Sequence, residues 1–219
     1  GALLLVITGA GADSIARSHP EATEAGWAYG LTFSGLPCAV VLLALVALPL
    51  SPDILSWLMG LAVTGVLLSL VVIAQYATIG GQGRHSALAN WGLSMVAYAG
   101  IFIFSALIYG ARARSLLSAT AIFALGSLLA AGVLRPTSPR LPVRRVWAYA
   151  AITGLVLGEV AWALNHLSLG EVASGVFFLL VFYVISGLSR QHLYGHLAPP
   201  VIVEFVVVSL LGLGLVYIL

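Results

Sequence analysis

Glu159 is the residue whose type and position most suggest chemistry, because it lies about 13 positions into an apolar run, roughly 20 Å of helix from where that run begins. An ionised carboxylate at that depth is costly, so the group should be protonated, paired with a donor, or turned toward a wet cavity. Trp162 and His166 follow at helical spacing and share its face, with Asn165 beside them. Together the four could line a polar binding site, hand on a proton, or act as acid and base on a lipid. The plainer alternative is a protonated Glu159 bonded to a carbonyl of a neighbouring helix or to Gln75, with His166 at headgroup level.

A second carboxylate, Glu204, sits about five residues inside the last apolar run, and Arg190 ends the run before it. An ion pair between them would fasten two helices. Glu204 and Glu159 fall at different depths, which argues against one two-carboxylate acid–base site. His192 and His196 are four apart, as metal ligands on a helix often are, but no third ligand is near in sequence. His85, His166 or His192 could each hold a chlorophyll magnesium at a membrane face. Five histidines are too few for the histidine boxes of a membrane di-iron oxygenase, and no two lie within the hydrocarbon at similar depth on different spans as a bis-histidine haem requires. The chain contains no lysine, so a retinal or pyridoxal Schiff base is excluded. With a single cysteine, Cys38, an iron–sulfur cluster is excluded as well. Gly-x-Ser-x-Gly and His-Glu-x-x-His are absent, and two aspartates cannot form an aspartate-rich magnesium motif.

The elements that must position these residues are transmembrane helices. Of 219 residues, 61% are hydrophobic and 7% charged, and the mean hydropathy is +1.11. Globular chains carry about 25% charged residues, so a water-facing surface cannot be covered here. Nine arginines and a net charge of +2, scattered among loops, make no nucleic-acid footprint. The expected fold is an all-α polytopic bundle forming one transmembrane domain over 1–219. Its seven full spans fall at about 30–50, 53–79, 87–110, 115–134, 146–168, 171–189 and 199–219. Residues 1–11 read as the end of a further span, and both ends read as trimmed. In Pro49-Leu50-Ser51-Pro52-Asp53 the last three residues read as a helix start, with Ser51 as the cap. Gly154 and Gly158, four apart, allow close helix packing.

If loops alternate sides, one face collects seven arginines and the other holds Arg112 and Arg114. The arginine-rich face should be cytoplasmic, which places the C-terminus outside a bacterial inner membrane. Trp27, Trp57, Trp91 and Trp147 fall near helix ends, as interfacial aromatics do.

Several stretches together carry a likeness: Phe104 to Tyr109, Arg112 to Thr120, Gly158 to Asn165, Phe182-Tyr183 through His192-Leu193, and Val203-Glu204-Phe205. They resemble an uncharacterised family of small polytopic membrane proteins, a domain of unknown function associated with filamentous anoxygenic phototrophs and their relatives. The resemblance supports the span map, includes Glu159, Trp162, Asn165 and Glu204 in the family's pattern, and lends no activity. The expectation is therefore a non-catalytic accessory subunit of a photosynthetic or respiratory electron-transport complex. It would pack against lipid and other transmembrane subunits and could contact quinone, carotenoid or bacteriochlorophyll. A small transporter or channel built around Glu159, or a lipid-modifying enzyme, are the alternatives.

Overall fold

The computed structural model of the chain describes residues 2–18, 27–79, 84–110, 115–135, 143–165, 170–194 and 199–218. These form eight α-helices and one short 3₁₀ turn. The helices are α1 (Ala2–Arg17), α2 (Trp27–Ala47), α3 (Ile54–Ala77), α4 (Arg84–Gly110), α5 (Ser115–Val133), α6 (Val143–Leu164), α7 (Glu171–Tyr194) and α8 (Pro199–Ile218). Six of them, α2 to α7, are long and apolar enough to cross a membrane. The chain is therefore an all-α polytopic membrane protein. The last helix, α8, is a further apolar helix over Pro199–Ile218, where the sequence places its seventh span.

Three boundaries differ from the sequence reading, each for a local reason. Residues 1–11 belong to a helix that runs further than the apolar run, through Asp13 to Arg17. An Arg17–Asp13 ion pair of 2.6 Å, four residues apart, closes its last turn. The cap of α3 is Asp53, not Ser51. Asp53 adopts an extended backbone and its carboxylate accepts from the Ser56 backbone N–H at 3.2 Å and the Ser56 hydroxyl at 2.7 Å. Leu48–Leu50 before it is a 3₁₀ turn. Helix α6 begins at Val143, so Arg144 and Arg145 lie in its first turn, and it ends at Leu164.

The chain divides into two compact units, and α4, α5 and α6 each contribute residues to both. The first comprises residues 1–97 and 131–147. Its centre is Phe33, packed with Ala16, Ile79 and the partly buried Val143. Gly132 lets Leu36 approach so closely that a Cβ there would meet its side chain at 2.3 Å. Arg135, 6% exposed, places its guanidinium 4.5 Å from the centroid of the Phe33 ring and donates to the Thr78 hydroxyl. Helix α3 lies at the margin, with 6% of its span buried against 39% for each of the other five.

The second unit comprises residues 98–130 and 148–219, with Phe104, Ile122, Leu157, Phe178 and Phe182 fully buried. Aromatic rings join α7 to its neighbours: Tyr98 meets Phe182 edge-on at 5.7 Å, and Tyr183 meets Phe205 of α8 at 5.3 Å. Gly187 makes room for Phe205, whose ring would lie 2.4 Å from an added Cβ.

Candidate functional site

Which way Glu159 points is decided by the glycines on the other side of α6. Gly154 packs so closely on α5 that a Cβ there would lie 2.6 Å from the Phe123 carbonyl oxygen and 2.9 Å from the Ser127 backbone nitrogen. One turn on, Gly158 faces the Phe123 Cβ at 3.2 Å and the Ala119 carbonyl at 3.3 Å. The same side of the helix buries Ala150, Thr153, Leu157 and Ala161 completely. At about 100° per residue, this leaves Ile152, Leu155, Glu159 and Trp162 on the outward face. Ile152 is 51% exposed, Leu155 52% and Trp162 62%, and Glu159 is exposed with them.

Because α6 ends at Leu164, Glu159 is only five residues from its C-terminal end, about 7–8 Å along the axis. It is shallower than a span of 146–168 implied, yet its side chain leans away from the near end, because Cβ bonds tilt toward a helix's N-terminus. The carboxyl is thus aimed back into the apolar length of the helix, flanked by Leu155 one turn before and Trp162 one turn after.

The end of α6 is tied down by hydrogen bonds from two directions. The Tyr109 hydroxyl of α4 donates to the Ala161 carbonyl at 2.9 Å, and the Asn165 amide donates to the Ser118 hydroxyl of α5 at 3.0 Å. Asn165 is half-buried and turned toward α5, so it does not share the outward face with Glu159 and Trp162. His166 and His196 lie outside the described residues. Tyr109 and Ser118, which fix the height and rotation of α6, carry no sign of that role in sequence beyond being polar groups near helix ends.

The remaining candidates are dispersed. Arg190 and Glu204 are both exposed, and no ion pair joins them; among the described residues the pair formed is Arg17–Asp13. The α7–α8 contact expected from that ion pair is instead the packing of Tyr183 and Gly187 on Phe205. His192 is exposed on α7, its ring 5.8 Å from that of Tyr149. His85 is exposed in the first turn of α4. Among the described residues no group of three or more His, Cys, Asp or Glu side chains converges as a metal site would. Chemically, the α6 face offers one carboxyl as hydrogen-bond donor or acceptor and a broad indole surface, both reachable from the side of the molecule.

No curated protein and no solved structure matches the chain. A family model does, over residues 1–219. The chain belongs to that family, described as a protein of unknown function (DUF5656).

Proposed function

We propose that this chain is a non-catalytic subunit of a larger membrane complex, photosynthetic or respiratory, and that it docks through the outward face of α6 onto a transmembrane helix of that complex. The observation that carries the reading is the exposed Glu159 among Ile152, Leu155 and Trp162. Glu159 is aimed from near the end of α6 back along its apolar length, and a polar group left unsatisfied in hydrocarbon costs several kcal/mol. A neighbouring helix presenting a hydrogen-bond partner at the same depth removes that penalty, and interhelical hydrogen bonds of this kind contribute about 0.6–2 kcal/mol. Trp162 would supply the large contact area that anchors such interfaces. Transport would need the carboxyl on a wet internal path, and an outward-facing side chain favours a partner over a path. In this reading the arginine-rich ends face the cytoplasm of a bacterial inner membrane.

The test is purification from native membranes in a mild detergent, with identification of what co-migrates. Wild type and Glu159→Gln, which keeps a hydrogen-bonding group, should carry a stoichiometric transmembrane partner. Glu159→Leu should reduce its recovery roughly three- to thirtyfold, the equivalent of about 0.6–2 kcal/mol. Wild-type protein that runs alone would overturn the reading.

A further inference from the structure

A different part of the molecule carries an open groove beside a buried polar group. Between α1 and α3 an open, mostly apolar groove of about 360 Å³ is lined by Thr8, Gly11 and Ile15 on one side and by Leu68, Val72 and Ile73 on the other. It runs into a much smaller hollow of about 10 Å³, since Ala12, Ile15 and Val72 line both. Gln75 lines the hollow, is 3% exposed, and has a side-chain Nε2 with no hydrogen-bond partner. A buried amide donor without an acceptor is strongly unfavourable. The hollow is about the size of one water, but a buried water is ordinarily held by two to four polar partners. An acceptor oxygen carried on an apolar body that fills the adjoining groove is held far better.

Depth identifies the body. Gln75 is two residues from the end of α3, about 3 Å along the axis, and Ala12 and Ile15, which share its hollow, flank the Asp13–Arg17 ion pair that closes α1. This is the end of the apolar stretch Ile54–Ala77, and the end of a spanning stretch is the level at which the ester carbonyls of a glycerolipid lie. The groove then extends from Gln75 toward the interior of both helices, the direction an acyl chain takes. We infer that the α1–α3 groove is a specific glycerophospholipid site, in which an acyl chain occupies the groove and its ester carbonyl oxygen accepts a hydrogen bond from Gln75 Nε2.

Two substitutions probe the head and the tail of this site separately. Gln75→Leu removes the donor at nearly constant volume. Gly11→Leu fills the groove, and a Cβ at Gly11 meets nothing within 4 Å, so the substitution does not strain the helices. Gly92→Leu, whose Cβ also meets nothing, is the control outside the groove.

The full chain, reconstituted in nanodiscs of palmitoyl-oleoyl phosphatidylglycerol and released into detergent for native mass spectrometry, should retain one lipid per protein. Gln75→Leu should lower the retained fraction about tenfold and Gly11→Leu at least as much, while Gly92→Leu retains it. Should Gln75→Leu fail to fold, the Gly11→Leu and Gly92→Leu comparison decides alone. Wild type released without lipid, or retention unchanged in both groove variants, overturns the site. Stoichiometric displacement of the lipid by added decylubiquinone overturns its assignment to a glycerolipid.

Discussion

Replacing Gly154 by alanine should loosen the α5–α6 contact, and the structure sets the size of the effect. The added Cβ would stand 2.0 Å from the Ser127 hydroxyl oxygen and 2.6 Å from the Phe123 carbonyl oxygen. Ser127 can rotate, giving up its 2.8 Å bond to that same carbonyl. The Phe123 carbonyl belongs to the α5 backbone and cannot move alone, so the helices must separate by roughly 0.8 Å to restore ordinary contact. A gap of about 0.5–1 Å forfeits a quarter to a half of each dispersion well, and the wells are worth about 0.1–0.2 kcal/mol per atom pair. For an interface comparable to one buried leucine, with roughly 40–60 such pairs, the loss is about 1–6 kcal/mol. Alanine returns up to about 1 kcal/mol in helix propensity, leaving a net destabilisation of about 0–5 kcal/mol, a range that contains the roughly 1–3 kcal/mol typical of overpacked cores. Gly158→Ala needs only a few tenths of an ångström, so its cost and gain nearly cancel. Gly92→Ala, in open space, should be neutral or stabilise by up to about 1 kcal/mol. Unfolding of the three variants in mixed micelles by SDS titration would order them Gly154→Ala, Gly158→Ala, Gly92→Ala from least to most stable. Finding Gly154→Ala as stable as Gly92→Ala would refute the claim that backbone contact, and not mere smallness, places glycine there.

Three further outcomes follow from single contacts. Asp53 has its carboxyl held below the ordinary range, first by the Ser56 hydroxyl and then by the Ser56 backbone N–H; its stabilising effect is therefore complete above about pH 3.9 and is lost as pH falls through the lower folded value. Protection factors of the Leu55 to Trp57 amides, each referred to the intrinsic exchange rate at the same pH, should be high at pH 7, lower in strong acid, lower at both pH values in Asp53→Ala, and nearly unchanged in Asp53→Asn at neutral pH. Tyr109→Phe removes the hydroxyl that bonds the Ala161 carbonyl and should lower stability in the same SDS titration by about 0.5–1.5 kcal/mol. Arg135→Lys keeps the charge but loses the planar group that lies over Phe33 and reaches Thr78, and should cost about 1–3 kcal/mol; equal stability of the two proteins would show that charge alone matters there.

The spans are legible in sequence because length and apolarity are what a bilayer demands, and α3, α5 and α7 start within one residue of where hydropathy places them. What hydropathy cannot give is the inward and outward sides of a helix, since in lipid both are apolar. The side of α6 that meets α5 is visible as Gly154 and Gly158, but their partner strip of Ala119, Phe123 and Ser127 has no signature of its own. Arg135 reads as a loop charge because it follows an apolar helix and precedes Pro136; its burial on Phe33 depends on α2 and α3, far away in sequence. Gln75 stands out in sequence only as a conceivable bond partner for Glu159. Its own unmet donor is a property of the space around it, which no spacing rule encodes.

Arg135 and Glu159 are two charge-bearing side chains at apolar helices, and the chain treats them in opposite ways. Arg135 is enclosed by its own fold, its guanidinium stacked on a ring and bonded to a hydroxyl. Those contacts serve the stability of the chain itself. Glu159 could have been given the same treatment by a rotation of α6 through about 100°, which would bring it to the α5 side. Gly154 opposes that rotation, because the Leu155 side chain brought to its position would meet α5 backbone. Tyr109 and Asn165 pin the same orientation, through bonds that join α6 to α4 and to α5. The arrangement that packs α6 is therefore also the arrangement that holds a carboxyl outward beside Leu155 and Trp162. In the docking reading proposed above, the partner of that acid lies outside the chain, on the helix that meets this face.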